Sequence, residues 1–126
     1  MLLSEYVERH LKTINEYSKA GLITVFDLRT DLRTEKIGLV KGYITFADES
    51  ILYFTEYLDV RYKIDKLSYS FHYQKRNGEL ILRYDNAKHK PALPFCSHKH
   101  FPNGAIVEAV ETDIKSVIEE IMDNLL

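Results

Sequence analysis

Alternation of apolar and polar residues runs from residue 22 to residue 85 and constrains the fold more than any other feature of the chain. Successive side chains of a strand point to opposite faces, so a period of two predicts strands that bury one face. The predicted strand segments are 22–30, 39–47, 51–54, 60–73 and 79–85. A polar break at 48–50 and the pair Asn77-Gly78 both predict hairpins. Five or six antiparallel strands in succession indicate a meander, in which Gly42 marks a bulge or a close neighbour.

Helical periodicity flanks the strands on both sides. Residues 4–20 are predicted to form a helix that Ser4 caps and Gly21 ends. The apolar face of this helix consists of Leu3, Val7, Leu11, Ile14 and Tyr17. A second helix is predicted from Thr112 or Asp113 onward, with a stripe of Ile114, Val117, Ile118, Ile121, Met122 and Leu125. The expected fold is a single α+β domain over 1–126, a five- or six-stranded antiparallel meander packed by an N-terminal and a C-terminal helix.

The chain offers no feature that directs it out of the cytoplasm. Its single cysteine, Cys96, cannot form an intramolecular disulfide. Charged residues interrupt the N-terminal apolar stretch too early for a signal peptide. The apolar runs are far shorter than the roughly 20 residues that cross a bilayer. We therefore expect a cytoplasmic protein without a membrane partner.

The formal net charge of −2 conceals an uneven distribution. Between residues 72 and 100, six basic residues face two acidic ones, so this segment carries +4 and the rest of the chain −6. The segment also holds four of the five histidines. All three prolines lie in the loop predicted at 86–104, and loops of that length are uncommon unless they are functional or disordered. This uneven charge indicates that a functional site lies between residues 72 and 100.

The residues of this segment are those that RNA cleavage without a metal requires. Attack of a ribose 2′-hydroxyl on its phosphate needs a base, an acid, and cations around a pentavalent anion. Histidine and tyrosine serve as acid and base, while arginine and lysine hold phosphate oxygens. The residues concerned are Arg83, Tyr84, Asp85, His89, His98, Lys99 and His100. Tyr53, Tyr57 and Tyr62 would in addition be available to stack unpaired bases.

Three other interpretations compete with RNA cleavage. His98 and His100 would share one side of an extended segment, and a metal would need His89, Cys96 or Asp85 to complete its ligands. Alternatively, the segment is a non-catalytic basic surface for nucleic acid or for an acidic protein partner. In the simplest interpretation these side chains are only solvated and Asp85 with Asn86 forms a turn at the end of a strand. Residue types alone do not choose among them.

Two sequence blocks resemble the TumE family of toxins from type II toxin–antitoxin pairs. The blocks are Arg83-Tyr84-Asp85-Asn86-Ala87-Lys88-His89 and Phe95-Cys96-Ser97-His98-Lys99-His100. They are similar to the family patterns RYDNAPHH and FPHHKH, and the order of helix, meander and helix is compatible with these proteins. Lys88 and Lys90 stand where the family has proline and a second histidine, and Cys96 and Ser97 replace proline and the first histidine of the later block. The resemblance implies a toxin that acts on RNA or translation and that an antitoxin neutralises.

The leading hypothesis is a TumE-like toxin that cleaves RNA without a metal or other cofactor. Its predicted catalytic residues are His98, His100, His89 and Asp85, and its predicted substrate-binding residues are Arg83, Tyr84, Lys88 and Lys99. Asp85 is expected to orient a histidine, and Tyr84 shares the parity of the core residues Leu80 and Leu82. The alternative is a binding module for nucleic acid or protein. A cognate antitoxin and RNA are the expected partners, and an exposed sheet edge or the C-terminal stripe would be available for a homodimer.

Overall fold

The computed structural model describes residues 1–87 and 96–125, with only the backbone of Leu125. The helices are α1 (Leu3–Lys19) and α2 (Ile114–Leu125). The strands are β1 (Ile23–Thr34), β2 (Ile37–Phe46), β3 (Ile51–Asp59), β4 (Asp65–Gln74), β5 (Leu80–Asp85), β6 (His98–His100) and β7 (Ile106–Glu108). All seven strands form one sheet in chain order, and every pair is antiparallel. The α+β meander is confirmed, with seven strands where five or six were predicted.

The differences from the predicted strands lie in two segments. Residues 60–64 lie outside the strands and connect β3 to β4, although their alternation predicted a strand there. Tyr62 is 94% exposed, although it occupies one of the apolar positions of the alternation. β6 lies within residues 86–104, where we predicted a loop, and β7 follows it before α2. The predicted hairpins are confirmed, with Glu49 and Gly78 at φ of 69° and 91° in their turns.

Both helices cover the same face of the sheet. Val40, Ile44, Leu52, Phe54 and Phe71 point from the central strands into one core. The α2 stripe of Ile114, Val117, Ile118, Ile121 and Met122 is buried in the same core. This stripe is therefore not available as a homodimer surface. The opposite face of the sheet, which we call the open face, is not covered by either helix.

The buried side of α1 is rotated from the one that the pattern predicted. Its buried residues are Leu3, Tyr6, His10 and Ile14, whereas Val7, Leu11 and Tyr17 are only partly buried. The N-cap is Leu2 rather than Ser4, and the Glu5 carboxylate accepts a hydrogen bond from the Leu2 N–H at 2.9 Å. Polar residues occupy the buried side because each finds a partner in the sheet. Gly21 follows the helix with a φ of 77°, as predicted.

Gly42 on β2 lies directly against the backbone of β1. A Cβ atom at this position would lie 2.0 Å from the carbonyl oxygen of Asp27 and 2.9 Å from Cζ of Phe54. The predicted close neighbour is confirmed, because only a residue without a side chain fits here. In the described part of the chain, no helix is long and apolar enough to cross a membrane.

Candidate functional site

The pairing of β5 with β6 brings the two sequence blocks together. Arg83 lies opposite His100, Tyr84 opposite Lys99, and Asp85 opposite His98. Directly paired residues share a face of the sheet, and the next pair along the strands shares the other face. The predicted site residues are therefore divided between the open face and the helix-covered face.

Asp85 is the centre of the group on the open face. Its Oδ2 accepts a hydrogen bond from Nε of Arg83 at 2.7 Å and lies 3.2 Å from Nε2 of His100. Its Oδ1 lies 2.5 Å from Nε2 of His98 and accepts a longer bond from the N–H of Ala87. The Asp85 carboxylate is thus shared by one arginine and two histidines. We call Arg83, Asp85, His98 and His100 the Asp85 cluster.

The charge of the Asp85 carboxylate is stabilised by these neighbours. Burial alone would raise the pKa of Asp85, since the side chain is 4% exposed. The hydrogen bonds from Arg83 and Ala87 and the charge of His98 outweigh burial and hold the pKa below its ordinary value of 3.8. At neutral pH the cluster therefore contains an ionised carboxylate that accepts hydrogen bonds and cannot donate one.

The two histidines of the cluster differ in their access to solvent. His98 is fully buried, and its Nδ1 lies 3.1 Å from the carbonyl oxygen of Cys96, which can only accept. With Nε2 against the Asp85 carboxylate, both ring nitrogens of His98 lie beside oxygen atoms that accept hydrogen bonds. His100 keeps 19% of its side chain exposed. Of the two, His100 is the one that a substrate would reach.

Arg83 connects the cluster to a residue that we did not assign from the sequence. Its Nη1 lies 3.3 Å from Nδ1 of His72 on β4, and Nε2 of His72 lies 3.2 Å from Oε1 of Gln74. Arginine can only donate, so Nδ1 of His72 is the acceptor and the ring is neutral. Burial, and then the charge of Arg83, lower the pKa of His72 in agreement with this assignment. The sequence alone does not indicate this contact, because it depends on the β4–β5 register that places His72 opposite Arg83.

Tyr84 and Lys99 point to the helix-covered face instead. The Tyr84 hydroxyl donates to one Glu120 oxygen at 2.8 Å, and Nζ of Lys99 lies 2.5 Å from the other. Burial and the hydrogen bond to Glu120 raise the pKa of Tyr84. Burial opposes the charge of Lys99, but its bond to Glu120 prevails and raises the pKa of Lys99. These two residues connect the site strands to α2 and do not join the Asp85 cluster.

The Asp85 cluster also has the composition of a metal site. The ligand atoms of Asp85, His98 and His100 lie within 4.8 Å of one another, and two histidines with one carboxylate are a known set for divalent transition metals. The Arg83 guanidinium occupies one side of the same carboxylate, and a fixed positive charge there opposes a cation. His89 and Lys88, both predicted for the site, lie outside the described residues.

A second polar cluster, not predicted from the sequence, is buried beneath α1 and is called the Glu56 cluster: Tyr6, His10, Glu56 and Lys66. Glu56 is fully inaccessible and contacts the Tyr6 hydroxyl at 2.5 Å, Nε2 of His10 at 2.6 Å and Nζ of Lys66 at 3.1 Å. Lys66 also donates to the carbonyl oxygen of Thr112, next to α2. Burial and then the charge of Glu56 raise the pKa of Tyr6. The sequence did contain an indication of this cluster. Glu56 is two residues from both Phe54 and Leu58, so it lies with them on the core side of β3.

Comparison with known proteins places the chain in a family. No curated protein and no solved structure matched it. A family model described as "Toxin TumE" matches residues 10–125, a range that begins within α1 and ends with α2. The match includes the whole sheet and the Asp85 cluster, and it confirms the resemblance noted in the two sequence blocks. The chain belongs to the TumE toxin family.

Proposed function

We propose that this protein is the toxin of a toxin–antitoxin pair and that it cleaves RNA in the cytoplasm without a metal. The observation that carries the proposal is the shared contact of Arg83, His98 and His100 with the Asp85 carboxylate on the open face. Membership of a toxin family supports the toxic role and an antitoxin partner. The RNA substrate is supported by the chemistry of the residues alone.

The reaction would be an internal transesterification. The ribose 2′-oxygen forms a bond to the adjacent phosphorus, the bond from phosphorus to the 5′-oxygen breaks, and the products are a 2′,3′-cyclic phosphate and a 5′-hydroxyl. A base removes the 2′-proton and an acid protonates the leaving 5′-oxygen. Each role is worth typically 10²–10⁴-fold in rate. No oxidant or co-substrate is needed.

The partly exposed ring of His100 would be the proton-transfer group. Asp85, 3.2 Å from its Nε2, would orient that ring and stabilise its protonated form. His98 would act as a positioning residue, because it is fully buried and holds the other oxygen of Asp85. His89, predicted from the family pattern, remains the proposed second proton-transfer group, and Lys88 a proposed substrate contact.

Arg83 would bind the phosphate. Its Nε contacts Asp85 and its Nη1 lies near His72, while a guanidinium has five N–H donors in all. The Arg83 side chain is 35% exposed, so donors beyond those two contacts are available to a ligand on the open face. Arginine suits this role because its planar fork matches phosphate oxygens in two bonds at once.

The proposal is tested with purified protein and a DNA oligonucleotide that contains one ribonucleotide. We expect cleavage at that position, a cyclic phosphate end, and no effect of EDTA. Replacing the ribonucleotide by its 2′-deoxy form should abolish the reaction, and His100→Ala should slow it by about 10²–10⁴-fold. Arg83→Ala should lose activity, whereas Arg76→Ala, at an exposed position in the β4–β5 hairpin, is the matched control and should retain it.

The outcome separates the proposal from its alternatives. Cleavage that EDTA abolishes would assign Asp85, His98 and His100 to a metal. Saturable RNA binding without any cleavage, and with growth inhibition unchanged in His100→Ala, would make the protein a binding module. Expression with and without the neighbouring gene tests the antitoxin, since only the pair should restore growth.

A further inference from the structure

One row of side chains crosses the open face and ends at the Asp85 cluster. Five directly paired residues on β2 to β6 compose the row: Tyr43, Tyr53, His72, Arg83 and His100. Paired residues lie on the same face of a sheet, and adjacent strands are about 4.8 Å apart, so the row extends for about 19 Å. We call it the open-face row.

The far end of the open-face row is aromatic and accessible. Tyr43 and Tyr53 are 36% and 44% exposed, and their ring centroids are 6.3 Å apart. Both tyrosines line a shallow depression of about 320 Å³, and Lys41 and Thr55 form part of its walls. Exposed aromatic rings on a sheet are the means by which several RNA-binding folds stack unpaired bases.

The neighbouring side chains on the open face suit a polyanion. Lys41, Thr55 and Ser70 form the next row along β2, β3 and β4 and supply a charge and two hydroxyls. Two nearby carboxylates are paired with cations, Asp27 with Arg29 at 2.9 Å and Asp85 with Arg83, while Glu108 lies opposite His98 at the β7 end of the face. A protein-docking surface has a contiguous apolar centre with few charges, which this alternation of rings, cations and hydroxyls does not provide.

We propose that the open-face row is a track for single-stranded RNA, in which Tyr43 and Tyr53 stack bases while Arg83 holds the phosphate at His100. This inference rests on the proposed function, which places the cleaved bond at the His100 end of the track. It adds the substrate class, which is unpaired RNA that runs across the strands from β2 to β6. Duplex RNA is excluded as the preferred substrate because its bases are not available to the tyrosine rings.

The test separates binding from cleavage. A labelled oligonucleotide of about 12 2′-O-methyluridines is within the range of single-strand sites and has no 2′-hydroxyl to react. Its affinity is measured by fluorescence anisotropy. Tyr43→Ala and Tyr53→Ala should each weaken binding by about 5- to 150-fold, the range for loss of one stacked base. Tyr43→Phe and Tyr53→Phe should bind within about twofold of the unaltered protein, because the ring remains.

Tyr62→Ala provides the matched control. Tyr62 is the most exposed aromatic in the described chain and was expected from the sequence to be available for stacking, but it lies in the connection between β3 and β4, outside the row. Its loss should leave affinity unchanged. Circular dichroism and the urea midpoint establish that each variant is folded, which is expected for exposed positions.

Three results would overturn the track. The Tyr→Ala variants could bind the oligonucleotide as tightly as the unaltered protein, or the Tyr→Phe variants could lose as much affinity as the Tyr→Ala variants. A duplex could also bind as tightly as the single strand. Loss of antitoxin binding but not of oligonucleotide binding in Tyr43→Ala would assign the row to the protein partner instead. Tyrosine-dependent binding without cleavage of unmodified RNA would retain the track and reject the nuclease.

Discussion

His10 on α1 and Glu56 on β3 are joined by a buried contact of 2.6 Å between Nε2 and Oε1. Through it the first helix reaches the middle of the sheet, and Lys66 completes the connection to α2 by bonding both Glu56 and Thr112. A buried charge with several partners contributes little over an apolar core, but removing one partner leaves the others uncompensated. The Glu56 cluster therefore makes the packing of both helices depend on one carboxylate.

Glu56→Gln should lower the free energy of unfolding by about 3–5 kcal/mol, since the Lys66 ammonium would remain buried without its counter-ion. Urea denaturation followed by circular dichroism measures the change. Glu79→Gln is the matched control, because Glu79 pairs with Lys75 on the surface and its loss should cost about 1 kcal/mol or less. Equal effects of the two substitutions would contradict the role given to Glu56.

Acid should destabilise the protein through its buried carboxylates. Burial opposes the charge of Glu56, but bonds from His10 and the charges of His10 and Lys66 lower its pKa below the ordinary 4.5. A carboxyl whose folded pKa is lowered stabilises the fold fully above its unfolded pKa, and this stabilisation disappears as the pH falls through the folded pKa. Asp85, with a pKa below 3.8, contributes in the same direction.

We therefore expect the free energy of unfolding to fall steadily once the pH is lowered beneath about 5. The decline should be shallower in Glu56→Gln, which has no carboxyl to protonate at that position. Urea midpoints at a series of pH values measure both curves. Parallel curves would show that Glu56 titrates alike in the folded and unfolded states.

Lys99→Met should separate a structural role from a substrate-binding one. Nζ of Lys99 contacts Glu120 at 2.5 Å and lies 5.1 Å from the ring centroid of Tyr84, on the face opposite the Asp85 cluster. Loss of the charge should cost about 1 kcal/mol of stability and leave KM for RNA unchanged. Arg83→Gln should instead raise KM or reduce kcat, and a rise in KM for Lys99→Met would place Lys99 on the substrate after all.

Gly42→Ala should disrupt the contact between β1 and β2. The added methyl would lie 2.0 Å from the Asp27 carbonyl oxygen, so the strands must separate locally. Overpacking of this kind costs about 1–3 kcal/mol or more, which thermal unfolding would detect. Lys41→Ala, on the open face of the same strand, is the comparison and should leave the melting temperature nearly unchanged.

Local patterns predicted most of the fold. The alternation that predicted strands, the Asn77-Gly78 turn and the α2 stripe each reflect interactions within a few residues, and β1 to β5, the turn and the buried stripe are all present in the structure. The strand predicted over 60–64 was wrong, because the alternation of apolar and polar residues continues through this segment although the chain turns there. β6 was missed because His98, Lys99 and His100 have no apolar member that would indicate a buried strand.

The candidate site was predictable in residue type but not in arrangement. That Asp85 meets His98 depends on the β5–β6 register, which joins strands across a proline-rich segment. Because β6 was not predicted, nothing indicated that Lys99 lies on the opposite face from His98 and His100. All three residues were therefore assigned to the site. His72 and Glu120 were missed for the same reason, since each becomes relevant only through pairing or packing between distant elements.

β6 is three residues long and is held between β5 and a β7 of equal length. His98 and His100 of the Asp85 cluster are therefore on one of the two shortest strands of the sheet, while Glu56 and Lys66 are on the long central strands β3 and β4. Short peripheral strands open at lower free energy than a protein's core, so amide hydrogens of β6 should exchange with solvent before those of β3. Inactivation and global denaturation would then be separate events, and the protein could lose its chemistry while retaining its fold.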